Sequence, residues 1–431
     1  MSKSERRILA LEREIHRIKN SPSQRIGLHI TNSIRKPWKF PLLIFTLPIK
    51  IISIGMELIG RKPQPAGLAN VKDDAIKRDD TIVMFPTNGV GFGHFTRMLA
   101  IAKNLIQIKP HFNIIFFTTM PTLHLLKPYG ISSHHISGPK YFKHLGTAKW
   151  NNLVEEQLHI CFEIHKPKMF IFDGAFPYRG MLRSIENRKN MDKGWLRRGN
   201  FKKGSSIPVD SIEKFDFVIN PGDIDDNQQE YNHSLPTLEC NPIVLLEREE
   251  LLSRNNTRKR LNIPIDAYVV YIQLGAGEIN DIGSEIRMTV DCLLNYENVI
   301  IVLGESMIGG RLDFYNNRVR ILRDYPNSMY LKGFDATIQA GGYNSFHETR
   351  KYGLPALFYP NMNTGMDDQL ARCLVAEKEG WGVVLKERNR ASIQKSIEYL
   401  LKLKPEVKIS YDNGANQMAK MIINRLEGLN E

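Results

Sequence analysis

Between a β-rich run that ends at Pro86 and an amphipathic segment that begins at His94, the chain reads Thr87-Asn88-Gly89-Val90-Gly91-Phe92-Gly93-His94-Phe95-Thr96-Arg97. Glycines at a strand-to-helix turn let the backbone approach a ligand closely, and the helix start offers free N–H groups and positive potential to an anion. Gly91, Gly93 and Arg97 are therefore candidates for a phosphate or acceptor loop. A dinucleotide fingerprint is disfavoured, because the next strand ends in Phe117-Thr118-Thr119, with no acid to hold a ribose. His94 brings different chemistry. The positive helix end disfavours the imidazolium, so the ring stays neutral and can accept a proton. Read structurally, the same residue is a helix cap.

A second set of such residues lies in the other half. Gly275 and Gly277, in Leu274-Gly275-Ala276-Gly277-Glu278, follow a β-rich run and suit either a phosphate-approach loop or a plain tight turn. Farther on, Gly341-Gly342-Tyr343-Asn344-Ser345-Phe346-His347-Glu348 closes a strand with a double glycine and opens a helix with Asn344 and Ser345, good N-caps and phosphate donors. Glu348 shares their helix face one turn later, about 5 to 6 Å away, a spacing suited to ribose hydroxyls beside a nucleotide phosphate. The plain alternative is a capped core helix. Arg179, Trp195, Arg197, Arg198 and Lys202 make a basic, aromatic-bearing stretch, which is either a site for an anionic acceptor or a solvated loop.

These residues need a scaffold of strand ends. From residue 81 onward, short β-rich runs alternate with amphipathic helices, which predicts parallel sheets with covering helices. The first half offers strands at 81–86, 113–118, 169–173 and 215–219; the second offers 268–273, 299–303, 318–322, 336–339, 356–359 and 382–385. The expected class is α/β, with two doubly wound, Rossmann-like domains facing a cleft where the strand C-termini converge. The expected divisions are a basic extension (1–62), a polar linker (63–80), a first Rossmann-like domain (81–240), a second Rossmann-like domain (245–410) and a helix over 411–431 packing back across the connection.

Gly341-Gly342-Tyr343-Asn344-Ser345-x-x-Glu348, with Gly353 and Pro355 five and seven residues after the Glu, resembles the donor-binding signature of GT-B nucleotide-sugar glycosyltransferases. The resemblance implies that Asn344 and Ser345 meet the diphosphate, Glu348 binds ribose, and Asp368 and Gln369 hold sugar hydroxyls. The loop carrying His94 is similar to that of the lipid-intermediate N-acetylglucosaminyltransferases of peptidoglycan synthesis. Retaining members of the fold carry a second Glu eight positions before the ribose-binding one, where this chain has Ala340, so inversion is implied. An inverting transfer needs a base for the acceptor hydroxyl and dipoles or charge on the departing diphosphate. His94 is the implied base. Asp173, closing the run 169–173, is placed to orient the base, contact the acceptor or cap a helix. Helix starts near Gly277 and Asn344 would meet the diphosphate, with no cofactor or metal expected. The same Gly91-x-Gly93-His94-x-x-Arg97 also resembles nucleotide-sugar hydrolases, in which the His activates water, and a non-catalytic nucleotide-sugar-binding subunit is a third reading.

Charge distribution bears on the partners. The formal net charge is +13 over 431 residues, but 13 Lys/Arg against four Glu in residues 1–62 account for +9 of it. A nucleic-acid reader spreads its bases over the folded recognition surface, so nucleic acid is not expected as a partner. Within the extension, Ile8, Leu11, Ile15 and Ile18 form a short a/d stripe, a candidate for self-association through residues 4–19 or for a helix lying on its own protein. Arg35, Lys36, Trp38 and Lys39 lead into an apolar run interrupted by Pro41, Pro48, Lys50 and Glu57, which suits the headgroup boundary of an anionic membrane better than a span. With no cleavable signal evident and four widely spaced cysteines, a cytoplasmic protein peripheral on the inner membrane face is expected.

Overall fold

The computed structural model describes residues 18–19, 21–59, 61, 80–87, 91–142, 144–197, 209–224, 233–275, 282–308, 310–364, 367–404 and 412–428. Two compact units divide the chain, Met1–Lys77 and Arg78–Glu431.

The larger unit is built on two parallel sheets. In the first, β1 (Thr81–Pro86), β2 (Asn113–Thr118), β3 (Ser132–His135), β4 (Met169–Asp173), β5 (Asp192–Leu196), β6 (Phe217–Pro221) and β7 (Thr237–Cys240) are ordered β3-β2-β1-β4-β5-β6-β7. In the second, β8 (Tyr268–Gln273), β9 (Val299–Gly304), β10 (Val319–Leu322), β11 (Ala336–Gln339), β12 (Ala356–Phe358) and β13 (Gly382–Val384) are ordered β10-β9-β8-β11-β12-β13. Each order reverses beside its first strand, at β2-β1-β4 and at β9-β8-β11. Such reversal points open a crevice at the strand C-termini.

Side-chain alternation explains why these runs sit inside. Ile82 and Met84 of β1 join a core layer with Phe95, Met98 and Leu99 of the helix Gly93–Ile108, whereas Val83 and Phe85 face Trp150, Val154 and Phe172. Both faces are covered, so the strand reads as a continuous apolar run. The first layer continues into the second half through Val269 and Tyr271 and includes Met418 and Ile422 of the helix Gly414–Glu427. That last helix starts at Asn413, whose amide accepts from Val244 N (3.2 Å) and donates to Val244 O (2.9 Å) in the connection between the sheets. Its far end ties to the first half through Lys109–Glu427 (2.6 Å) and Arg425–Asp192 (2.5 Å).

Three strands lie where no strand was predicted, β3, β5 and β7, because none carries a continuous apolar run. The consequence is largest at β5. Trp195 is buried between β4 and β6, and Arg197 is only 8% exposed, with its guanidinium 5.0 Å from the Trp195 ring. The stretch is therefore not a solvated loop at these positions: tryptophan burial carries the adjacent arginine inward. Arg198 and Lys202 lie outside the described residues.

In the smaller unit, helices Pro22–Ile34 and Leu43–Leu58 pair through Arg25–Glu57 (2.5 Å) and His29···Thr46 (3.0 Å), around the turn Pro37–Lys39. This hairpin leaves Trp38, Phe40, Phe45 and Ile49 exposed, and Ile44 is 77% exposed. No helix among the described residues is long and apolar enough to cross a membrane. Of the segment 4–19, only Ile18 and Lys19 are described.

Candidate active site

Strand pairing assembles the first half of the site. β1 and β4 are neighbours in register Pro86↔Asp173, so the loop leaving β1 passes over the end of β4. His94, the second residue of Gly93–Ile108, thereby meets a carboxylate 79 residues away: Nδ1 lies 2.6 Å from Asp173 Oδ1. Arg97, one turn further along the same helix, donates to both carboxylate oxygens, through Nη2 at 2.7 Å and Nε at 3.2 Å. Asp173 is 1% exposed and Arg97 2%. Burial alone would raise the Asp173 pKa, but the neighbouring Arg97 and His94 outweigh it and hold the carboxyl below its ordinary value. An ionised carboxylate only accepts, so the 2.6 Å contact calls for a proton on His94 Nδ1, and Arg97 Nη2 lies 2.9 Å from that same nitrogen.

The second half follows the same plan. β8 and β11 are neighbours, and their exits carry Gly275 and Gly342. Gly275 has φ +102°, a backbone conformation that favours glycine. At Gly341 a Cβ would stand 2.3 Å from Cys373 Sγ, so only glycine lets the turn pack on the following helix, Gln369–Lys378. Gly342 caps the helix Tyr343–Tyr352, and the first-turn N–H groups of this helix have no intrahelical partner. Glu348, on that helix, is desolvated and its carboxyl is pushed up to about 7, the Ser328 hydroxyl only partly opposing the shift.

The two strand-end clusters face one another across a cavity of about 560 Å³. From the first half Gly91, Gly93, His94 and Arg97 line it; from the second half Gly275, Gly342, Asn344, Ser345, Glu348 and Gln369 do. The halves also touch directly. Thr96 Oγ1 lies 3.0 Å from Tyr325 OH, Phe92 packs on the Tyr325 ring at 5.1 Å, and Asn344 Nδ2 donates to Gly93 O at 3.3 Å. Asn344 Oδ1 and Gln339 Oε1 are buried on the cavity side without a protein partner among the described residues.

Solved structures share this architecture. The glycotransferase of kitacinnamycin superposes with a TM-score of 0.56 at 14% identity, covering 80% of this chain and 99% of that one. Medicago truncatula UGT71G1 complexed with UDP-glucose gives 0.54 at 14% identity, covering 82% and 99%. No protein-family model matches the chain. A Methanosarcina acetivorans protein described as an uncharacterized glycosyltransferase is 33% identical over an alignment of 338 residues, gaps included, that covers 69% of this chain and 83% of that protein. The chain is a GT-B glycosyltransferase. A shorter similarity, 30% over 118 residues, links this glycosyltransferase to the Thermotoga petrophila UDP-N-acetylglucosamine–N-acetylmuramyl-(pentapeptide) pyrophosphoryl-undecaprenol N-acetylglucosamine transferase, over 27% of this chain and 34% of that enzyme.

Not every candidate from the glycosyltransferase's sequence reaches the cavity wall. Asp173 lies beneath His94 rather than on the wall. Asp368 caps Gln369–Lys378, accepting from Ala371 N at 3.0 Å, while the preceding Asp367 lines the cavity. Arg179 is exposed at the start of Arg179–Glu186, and Arg197 packs on Trp195; neither lines the cavity. Gly277 and Arg198 lie outside the described residues.

Sequence reading also missed a buried cluster that joins the two halves. Asp223, just after β6, accepts from Arg372 Nε (2.9 Å) and Nη2 (2.7 Å), and its Oδ1 lies 3.0 Å from His347 Nε2. Arg372 also bonds Gly341 O (2.7 Å) and Asp367 (2.8 Å), so one guanidinium positions the double-glycine turn and a cavity-lining carboxylate. Tyr343 OH donates to Gly222 O at 2.9 Å and accepts from Ile243 N at 3.0 Å. The signal available was position: Asp223 follows a parallel-strand C-terminus, as Asp173 closes one.

Proposed function

We propose that this glycosyltransferase inverts configuration, moving a sugar from a UDP-linked donor to a lipid-linked or cell-surface glycan acceptor at the cytoplasmic membrane face. The observation that carries the reading is the His94–Asp173 pair facing, across one cavity, the helix start that bears Asn344, Ser345 and Glu348. The acceptor occupies the side of residues 81–240 and the donor that of 245–410. Glu348, as carboxylate, accepts from the ribose hydroxyls, and Asn344, Ser345 and Gln369 bond diphosphate and sugar oxygens.

The acceptor hydroxyl gives its proton to His94 Nε2 while its oxygen attacks C1 from the face opposite the diphosphate. The C1–O bond to the diphosphate breaks, and the electron pair leaves with the nucleoside diphosphate. Asp173 holds the ring in the Nδ1–H tautomer and stabilises the imidazolium that forms. The N–H groups opening Tyr343–Tyr352 stabilise charge on the leaving diphosphate, a role that needs no metal ion. Gly91, Gly93 and Arg97 shape the acceptor side, Arg97 through the carboxylate it neutralises.

The hairpin supports the membrane part of the reading. Its exposed Trp38, Phe40, Ile44, Phe45 and Ile49 adjoin Arg35, Lys36, Lys39 and Lys50, an apolar body with cations beside it that suits an anionic headgroup boundary. The enzyme should be incubated with a panel of nucleotide sugars, with and without membrane lipid extract, following free nucleoside diphosphate and the anomeric configuration of the product. Lipid-dependent release with an inverted anomer supports the proposal. Equal release without any acceptor would make the enzyme a hydrolase, and a retained anomer would remove His94 from the role of base. Deleting residues 1–62 should abolish co-sedimentation with anionic vesicles at low salt while donor binding persists.

A further inference from the structure

We propose that His134, Cys161 and His165 form a zinc site on the first domain, separate from the cleft. His134 lies on β3, the edge strand of its sheet, and Cys161 and His165 stand four residues apart at the end of the helix Thr147–His165, on one helix face. One ligand atom from each of the three lies within 4.8 Å of the others. Cys161 is fully buried, the imidazoles are partly buried, and their Nε2 atoms are 2.8 Å apart.

Among the described residues neither imidazole is paired with a carboxylate. Burial lowers the pKa of both, and at His165 the proximity of His134 lowers it further. Burial also pushes the Cys161 thiol up to about 12, so the metal itself must draw off that proton. Two imidazoles and a thiolate with an open fourth position match the ligand chemistry of tetrahedral zinc, whose Zn–N bonds of about 2.0–2.1 Å set the nitrogens about 3.3 Å apart. The rings need to separate by about half an ångström, a small side-chain adjustment at a partly exposed edge.

The balance is simple. The Nε2 proton held between the rings moves to Nδ1 of its own ring through solvent, the thiol proton is released to solvent, and two nitrogen lone pairs and one thiolate bind Zn²⁺ with no change of oxidation state. Water completes the tetrahedron on the exposed side. The bound ion would tie the edge strand to its neighbouring helix, protecting an edge that otherwise presents unpaired backbone groups. No local motif announces such a site, because His134 comes from a different element than the Cys161/His165 pair.

The test uses the full chain without an affinity tag, stripped of metal by a chelator, and two probes. Zn²⁺ titrated against a chromophoric chelator should bind at about one equivalent, raising the melting temperature. Co²⁺ should give a thiolate-to-metal charge-transfer band in the near ultraviolet together with the strong visible bands of tetrahedral coordination. Cys161→Ser should remove the near-ultraviolet band, and both Cys161→Ser and His165→Gln should weaken Zn²⁺ at least tenfold, on the order expected when a ligand is lost. Each variant is compared with itself in chelator, since a serine hydroxyl at the buried Cys161 position lowers stability on its own, and Zn²⁺ should no longer raise its melting temperature. Binding that survives Cys161→Ser unchanged, or a wild-type Co²⁺ spectrum without the thiolate band, overturns the proposal; the second outcome needs no variant to fold.

Discussion

Two carboxyls at the cavity, Asp173 beneath His94 on one wall and Glu348 on the other, are handled in opposite ways. On the His94 side every charge has its partner: Asp173 is held by Arg97 and His94, and Arg97 spends its guanidinium on that carboxylate and on the Tyr343 ring, 5.2 Å away. At Glu348 the carboxyl is desolvated and the Ser328 hydroxyl only partly opposes the shift, and among the described residues Asn344 Oδ1 and Gln339 Oε1 are buried without a protein partner. A paired network rigidifies the group that must act as base, whereas an under-satisfied wall of acceptors stores unfavourable desolvation that a ligand's hydroxyl donors can relieve. Substitutions on the first wall should therefore be felt in turnover and folding, and those on the second in donor affinity.

The largest expected effect tests the first wall. His94→Ala should lower turnover by about 10² to 10⁴ while the donor dissociation constant stays nearly constant, because help from a general base appears in the transition state. Single-turnover kinetics with a calorimetric donor titration separates the two quantities. A capping histidine would instead cost about 1 kcal/mol of stability and leave turnover in the folded fraction. Asp173→Asn probes the same wall through folding: with Arg97 left unpaired in a dry site, about 3 to 5 kcal/mol of stability should be lost in denaturant melts. Equal stability would mean that water reaches the pair and that the contrast between the walls is weaker than the geometry implies.

The second wall gives a smaller effect of a different kind. Glu348→Gln removes charged hydrogen bonds from bound donor, about 1.5 to 3 kcal/mol, or roughly ten- to hundredfold in affinity by calorimetry. Folding should not suffer. If donor affinity is unchanged, the ribose assignment fails and the raised carboxyl needs another explanation.

How far the sequence discloses these walls depends on whether the contact is local. Asn344, Ser345 and Glu348 lie within one helical turn or so, and the helix period alone puts them on one face, as the cavity lining has them. The strands with continuous apolar runs, such as Thr81–Pro86 and Met169–Asp173, are equally legible, because burial on both faces writes itself into composition. β3 and β5 were not, since Ser132-Ser133-His134-His135 is a polar edge and Asp192-Lys193-Gly194 opens its strand with charges. The Arg97–Asp173 and Arg372–Asp223 pairs span 76 and 149 residues, so only the strand order brings them together. Asp367 and Asp368 show the limit of motif register: one residue decides which carboxylate faces the cavity and which caps a helix.

The smallest predicted effect comes from the titration of Glu348 itself, and it has the opposite sign from that of a salt-bridged acid. Its carboxyl is raised from 4.5 to about 7 in the folded protein. Between those values the native state holds a proton that the unfolded state has released, so stability falls as pH rises through the window and levels off above it. The full shift corresponds to about 3 kcal/mol, and because the carboxyl borders a cavity open to solvent, roughly 1 to 2 kcal/mol is expected. Glu348→Gln should therefore be more stable than the wild type by that amount at pH 8 and no different below pH 4.5, as read from denaturant midpoints across the range. Saturating nucleoside diphosphate should narrow the gap by stabilising the wild type more, since bound hydroxyls favour the ionised carboxylate. If the wild type instead gains stability from pH 5 to pH 7 relative to Glu348→Gln, the carboxylate is paired in the folded state, and the second wall is as satisfied as the first.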